Sequence, residues 1–403
     1  MYEVLGLEDL KPEELQGKRA FVRVDFNVPM QEGKVSDVTR LKASLPTIKY
    51  LLEKGAIVIL ASHFGRPKGK KDMAYSLEPV AKEFEKLVGQ TVTFVPDCIG
   101  TEAEGIIKTQ KSGSIALLEN VRFYAEEEAN DEGFSKKLAA LADFYVNDAF
   151  GSAHRAHAST AGIAKFLKPA VAGLLMEKEV RELGSLVSRP ERPFTSIIGG
   201  SKVSSKIDIL NSLIEKSDVV LVGGGMSYTF IKAQGGKIGN SICEDDKMKL
   251  ALELIEKAKA KGTALIFPDD NLCVKDFGDK SEKPQAVLTG QIPDEMEGCD
   301  IGPITADNFA RYISESKTVL WNGPVGIFED QRFASGSKAV AKAMVALQAK
   351  GGKTVIGGGD SAAAVVSFGY TDNEFGHIST GGGASLEFLE GKVLPGVAAL
   401  DKV

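Results

Sequence analysis

The sequence predicts an α/β protein of two lobes, each a parallel sheet covered by helices. Short apolar strands alternate with amphipathic helical stretches along the chain, which is the pattern a parallel sheet requires. At 403 residues the chain exceeds one ordinary core, so two domains are expected. A helical stretch at Met176–Val187 is stopped by the proline-punctuated SRPERP and places the boundary near residues 170–190.

In the first half the apolar runs predict strands at Arg19–Asp25, Ile57–Ser62, Val92–Val95, Ile115–Glu119 and Phe144–Asp148. Helical periodicity falls between them, at Arg40–Lys54, Leu77–Val88 and Phe134–Ala142. In the second half, strands are expected at Thr195–Gly199, Val219–Gly223, Ala264–Phe267, Thr318–Trp321, Thr354–Gly357 and His377–Ser379. Helices are expected at Lys202–Lys216, Asp246–Lys261, Ala306–Ser316 and Ser337–Ala349.

The strand ends differ between the halves. Those of the first half run into arginine, histidine or asparagine: RVDFN, SHFGRP, LENVRF and FGSAHRAHAS. Those of the second half run into glycine: IIGGSK, VVLVGGG, WNGPVG, IGGGDS and STGGGAS. Ligands of parallel sheets bind beyond these carboxyl ends. Arginine offers a planar, always-charged fork to an anion. Glycine lets backbone N–H groups approach a phosphate and opens a helix N-terminus onto it. One half is suited to a small, highly charged anion and the other to a polyphosphate nucleotide, so phosphoryl transfer between them is the first expectation.

Composition narrows the field. Glycine is in excess, 43 of 403 residues, against roughly 7% on average, and the glycine clusters account for it. A net charge of −6 argues against nucleic-acid binding, which needs a basic footprint. Yet Arg23, Arg40, Arg66, Arg122 and Arg155 lie at strand ends of the first half, and folding that gathers them makes a basic pit. The four cysteines lie far apart and read as free thiols of a reducing compartment. The acidic start carries no signal-peptide pattern, no run of 18 apolar residues suggests a membrane span, and a cytoplasmic protein is expected.

Single motifs carry distinct chemistry. No GxxxxGK[ST] and no GxGxxG is present, and GGKT at Gly351–Thr354 has Leu347 in place of the first glycine. Lys202 and Lys206 stand at i and i+4, on one face of a helix start, where a cation calls for an anionic partner. Asp360 falls at another helix start, as an N-cap, a Mg²⁺ ligand or both. Gly382 and Gly383 offer N–H groups suited to transition-state charge. His154 and His157 lack a third zinc ligand and suit anion contact or packing. The acidic run Glu126–Asp131 reads as a solvated loop.

These segments, in this order and over essentially the whole chain, closely resemble the phosphoglycerate kinase family. The resemblance implies two doubly wound, Rossmann-like domains facing across a cleft and joined by a helix. It implies residues 1–172 plus 391–403 for 3-phosphoglycerate, 173–189 as interdomain helix or hinge, and 190–390 for the nucleotide. Asp25, Asn27, Arg40, His63, Arg66, Arg122 and Arg155 would bind 3-phosphoglycerate. Gly200, Lys202, Lys206, Gly224, Gly225, Gly298, Asn322, Pro324, Glu329, Gly358, Gly359, Asp360 and Ser361 would serve ATP or ADP, with Asp360 on Mg²⁺ and Gly298 and Gly223–Gly225 bordering the adenine or ribose. Arg40, Lys202, Lys206, Gly382 and Gly383 would be catalytic. The implied reaction is reversible transfer from 1,3-bisphosphoglycerate to MgADP, by a monomer. Another carboxylate kinase, or a two-lobed protein that binds a phosphorylated acid without turnover, would share parts of this pattern. Ser201 and Ser361 stand where alanine and threonine are common in the family.

Overall fold

The computed structural model describes residues 3–403, and the chain divides into two compact units, Met1–Gly184 with Val393–Val403 and Ser185–Lys392. The division falls inside the helix Leu174–Ser188.

In unit 1 the sheet is built from β1 (Arg19–Arg23), β2 (Ile57–Ala61), β3 (Val92–Val95), β4 (Ile115–Leu118), β5 (Phe144–Asn147) and β6 (Ala170–Ala172). Their order across the sheet is β3-β4-β2-β1-β5-β6, all parallel. β2, β4 and β5 are buried at every residue, as sheets covered on both faces are, so they read as unbroken apolar runs rather than alternating ones. The winding reverses at β1, and the ends of β1, β2, β4 and β5 therefore surround one point, where doubly wound sheets take ligands. The C-terminal segment belongs to this unit. Leu394, Val397 and Leu400 are buried, Leu5 N donates to Asp401 O at 2.8 Å and Asn147 Nδ2 to Gly396 O at 3.2 Å.

Unit 2 repeats the plan with β7 (Phe194–Ile198), β8 (Val219–Val222), β9 (Ala264–Ile266), β13 (Thr318–Asn322), β14 (Lys353–Ile356) and β15 (His377–Ile378), in the order β9-β8-β7-β13-β14-β15. Here the winding reverses between β7 and β13. Between β9 and β13 the chain makes a feature the helix–strand alternation did not reveal. This is an antiparallel sheet of β10 (Asp270–Val274), β11 (Gln285–Leu288) and β12 (Glu297–Ile301), in the order β11-β10-β12. The cores are aliphatic and aromatic, with Phe26 on Phe84 in unit 1 and Trp321 fully buried in unit 2. No helix among the described residues is long and apolar enough to cross a membrane.

Three local expectations are corrected. The helix expected from Lys202 begins at Ile207, and Lys206 is its N-cap. Ser204 and Ser205 fold the preceding residues into a turn, with Ser205 Oγ donating to Lys202 O at 2.9 Å and Ser204 bonded through N and Oγ to Glu244. Serine competes in this way with the helix for backbone partners, so the two lysines share no helix face. Asp360 lies in the first turn of the helix Gly359–Ser367, whose N-cap is Gly358 at φ 100°. The acidic run is not a solvated loop throughout: Ala125–Glu128 form a helical turn, and Glu127 is fully buried.

Candidate active site

In unit 1 the residues that follow β1, β2, β4 and β5 converge. Asp25 and Asn27 leave β1 and act on their neighbours. Arg40, in the first turn of the helix Thr39–Glu53, donates from Nη1 to Asp25 Oδ1 at 3.2 Å and to Asn27 O at 2.9 Å. Asn27 Oδ1 accepts from Gly65 N at 2.9 Å. Asn120, after β4, accepts from Phe64 N and Arg122 N at 3.1 Å each, tying the loop after β2 to the arginine turn. Arg122 is largely buried and donates from Nη1 to Gly65 O at 3.1 Å. Arg155 is exposed in the segment after β5, its Nε 3.3 Å from His154 Nε2. Arg66 is exposed and, among the described residues, has no hydrogen-bond or ion-pair partner.

The pit is electrostatically unsatisfied. Burial, then Arg23, Arg122, Arg40 and His157, hold the His63 imidazole well below its usual pKa. Burial with Arg122, Arg23 and Arg155 pushes His157 down to about 4. Burial and Arg23 lower even Arg122, against the pull of Glu128. So many cations facing two neutral imidazoles make a place for a multivalent anion. One arginine departs from the expectation. Arg23 is fully buried, with its guanidinium on Ser159, Val24 O and His63, and lies beneath the pit rather than in it.

Unit 2 is built differently. The loops after β7 and β13 touch backbone to backbone: a Cβ on Gly199 would lie 2.1 Å from Pro324 O. Gly199 and Gly323 are required by loop packing, since a Cβ on either would strike the other loop's backbone, in which Pro324 takes part through its carbonyl. Gly224 likewise sits against Gly200 and is left-handed at φ 69°, while Gly225 starts the helix Met226–Ala233. Further along, the glycines face open space. A Cβ on Gly359 or Gly382 would meet nothing within 4 Å.

These open glycines line a cavity of about 220 Å³ with Lys206, Gly323, Gly358, Asp360, Ser361, Gly383 and Leu386. Lys206 Nζ donates to the buried Asn322 Oδ1 at 2.6 Å. Burial lowers the Lys206 ammonium, and Asp360 and Glu390 pull it back up. Asn322 Nδ2 donates to Gly357 O at 2.8 Å, and Ser361 Oγ accepts from Gly323 N at 2.6 Å. A carboxylate, an ammonium and two helix starts therefore open on one space. Among the described residues no group of three or more His, Cys, Asp or Glu is placed to hold a metal. The exposed Asp360 beside Lys206 fits a magnesium ion that arrives on nucleotide phosphates, since Mg²⁺ takes one or two carboxylates and phosphate oxygens.

The remaining expected residues lie elsewhere in unit 2. Lys202 is exposed on the turn before the helix, and Glu329 is exposed after Phe328. Gly298 lies in β12 opposite Cys273, and Tyr228 fills the space its Cβ would take. None of the three lines the cavity.

A family model described as phosphoglycerate kinase matches residues 7–392. This chain belongs to the phosphoglycerate kinase family. It is 54% identical over 98% of its length to the phosphoglycerate kinase of Parasynechococcus marenigrum, of which 98% is covered. It is also 54% identical to a cytosolic phosphoglycerate kinase of Triticum aestivum, over 99% of this chain and 98% of that one. The solved phosphoglycerate kinase of Coxiella burnetii superposes with a TM-score of 0.90 at 38% identity, covering 98% of both chains. The two six-stranded parallel sheets are thus the sheets of phosphoglycerate kinases, and the chain is a phosphotransferase with a carboxyl acceptor, of the glycolytic kind.

Proposed function

We propose that unit 1 binds 3-phosphoglycerate in the arginine pit, that unit 2 binds MgATP or MgADP in the glycine-lined cavity, and that a phosphoryl group passes between them. The observation that carries this reading is the pairing of two anion sites of opposite construction. One consists of guanidinium groups around neutral imidazoles, and the other of Lys206, Asp360 and bare helix starts.

In the forward direction of glycolysis, the β-phosphate oxygen of ADP attacks the phosphorus of the acyl phosphate. The new P–O bond forms as the bond to the carboxylate oxygen breaks, and 3-phosphoglycerate leaves as a carboxylate. Read backwards, the nucleophile is already an anion, so no general base is needed. The residues instead position two polyanions and offset the charge that spreads over the transferred group. Arg40, held at Nη1 by Asp25 and Asn27, keeps its other donors for that group. Lys206, oriented by Asn322, reaches it from the nucleotide side, and the N–H groups of Gly382 and Gly383 receive equatorial charge. Mg²⁺ bound at Asp360 would supply charge neutralisation to the nucleotide phosphates. Arg66, Arg122, Arg155 and His63 anchor the phosphate and carboxylate of the acid. Water must be shut out during transfer, since it would otherwise take the phosphoryl group. We assign the protein to the cytoplasm, as the wheat relative is named, and to a monomeric state.

A coupled assay tests the reading. ATP, Mg²⁺ and 3-phosphoglycerate are supplied, and NADH loss is followed through an added dehydrogenase. Turnover that requires all three is expected. Binding of 3-phosphoglycerate without turnover would overturn the reading in favour of a phosphorylated-acid-binding protein.

A further inference from the structure

We propose that Arg23 locks the tautomer of His63, so that the imidazole presents Nε2–H to the anion in the pit. The proposal rests on the reading of that pit as the 3-phosphoglycerate site.

Arg23 is fully buried, and its Nη2 lies 3.1 Å from His63 Nδ1. A guanidinium has donors only. His63 Nδ1 must then accept, and the single proton of the neutral ring resides on Nε2. A second proton is opposed first by burial and then by the guanidinium groups of Arg23, Arg122 and Arg40, and it would be opposed by His157 too if that ring were charged. Two further Arg23 N–H groups are committed, Nε to Ser159 Oγ at 2.8 Å and one on Nη1 to Val24 O at 2.5 Å.

The lock is anchored at its far end. Ser159 Oγ, having accepted from Arg23, donates to Glu127 Oε1 at 2.5 Å, and Ser159 N donates to Glu127 Oε2 at 2.9 Å. Glu127, Ser159, Arg23 and His63 are all buried. An arginine placed there without a carboxylate would be a costly isolated charge. With Glu127 one hydroxyl away the polarity of the chain is fixed throughout: His63 accepts, Arg23 donates both ways, Ser159 relays and Glu127 accepts. Arg23 and Glu127 are positioning residues. They make one ring nitrogen a dependable donor within a group of cations that would otherwise leave the proton's place undetermined.

Two changes at His63 separate its two nitrogens. His63→Asn keeps an acceptor near the Nδ1 position and has nothing at Nε2. His63→Gln carries a donor to the Nε2 position and leaves Arg23 without its acceptor. The Asn variant is expected to keep the wild-type Tm and to weaken the 3-phosphoglycerate Kd by about tenfold or more, the worth of a hydrogen bond to a charged group. The Gln variant should bind more tightly than the Asn variant and melt earlier. Long-range ¹H–¹⁵N correlation on ¹⁵N-histidine protein, which has four histidines, reads the tautomer directly. Ligand-free wild type at pH 7.5 should show His63 protonated at Nε2 alone, with 3-phosphoglycerate moving that resonance. Arg23→Lys, which keeps the charge and loses the fork, should mix the tautomers. If that variant does not fold, the wild-type spectrum and the Asn/Gln pair decide. Protonation at Nδ1 in the wild type, or tighter binding by the Asn variant than by the Gln variant, would overturn the proposal. An Nε2–H ring blind to 3-phosphoglycerate would overturn the substrate reading of the pit while leaving the lock standing.

Discussion

The groups proposed to face an anion in unit 1 are side chains. Arg40, Arg66, Arg122 and Arg155 bring formal charge, and the half-buried Asn27 and the buried Asn120 and Arg23 aim the groups around them. In unit 2 the groups proposed to face an anion are largely backbone, with one ammonium and one carboxylate among glycines. The contrast follows from the proposed ligands. A small acid with few oxygens is distinguished by forks set at fixed angles, and a chain of phosphates by a row of N–H groups. The stakes of error differ too. Losing a fork removes a charge, whereas adding a Cβ at Gly359 or Gly382 intrudes on a space the protein keeps open.

The largest effect is expected at the residues proposed to act on the transferred group. Arg40→Ala and Lys206→Ala should each lower kcat by on the order of 10³-fold, with a smaller change in KM, because their partners suit the transition state rather than the bound substrate. Arg66→Ala, which breaks no internal contact, should do the reverse and mostly raise KM for 3-phosphoglycerate. Steady-state kinetics on the three variants check this, and wild-type kcat in Arg40→Ala would make Arg40 an anchor. Next, Asp360→Asn should raise the Mg²⁺ concentration for half-maximal rate by about tenfold, the cost of one charged ligand bond. An unchanged Mg²⁺ titration would return Asp360 to a helix-start residue.

Stability offers a third way to separate the units. Leu400→Ala removes a buried side chain from unit 1 and should cost about 2–5 kcal/mol there. Trp321 is the only tryptophan, buried in unit 2, so its fluorescence reports that unit. The circular-dichroism midpoint in urea should fall more than the fluorescence midpoint. Equal shifts would show that the units unfold as one.

The smallest effect concerns pH. His157 is held down to about 4 in the fold, while an unfolded histidine titrates near about 6.5. The unfolded chain therefore takes up a proton first, and this contribution to stability is lost as pH falls through that window. His157→Gln should flatten the loss of Tm between pH 7 and 5. Asp300 in unit 2 has the opposite sign. Burial raises it to about 7, so its contribution is present in acid and lost as pH rises. Asp300→Asn should leave less decline of Tm between pH 5 and 7. Parallel pH profiles for variants and wild type would contradict both.

The core sheets were legible because a strand buried on both faces is an uninterrupted apolar run, as in IVILA and VVLV. The gathering of His63, Arg122 and Arg155 was legible because parallel strands place their carboxyl ends together, whereas Arg40, expected at a strand end, joins them from a helix start. What escaped was set by tertiary neighbours. Glu127 looked solvated because its partners, Ser159 and beyond it Arg23, come from segments distant in sequence. Lys202 and Lys206 looked helical because the competing Glu244 lies forty residues on. The antiparallel strands β10, β11 and β12 mix polar and apolar residues without clean alternation, and β11 is mostly exposed. The roles of the glycines were not separable either, since loop packing at Gly199 and open space at Gly382 look alike in one dimension.

The division of labour between the units is tested most directly by calorimetric titration of each ligand alone. 3-Phosphoglycerate and MgATP would be titrated separately into the wild type, Arg66→Ala and Lys206→Ala. Arg66→Ala should weaken 3-phosphoglycerate by about ten- to a hundredfold and leave MgATP unchanged, and Lys206→Ala should weaken MgATP by a factor much smaller than its loss of kcat and leave 3-phosphoglycerate unchanged. Either variant losing the other unit's ligand instead of its own would contradict the assignment of the two anions to the two units.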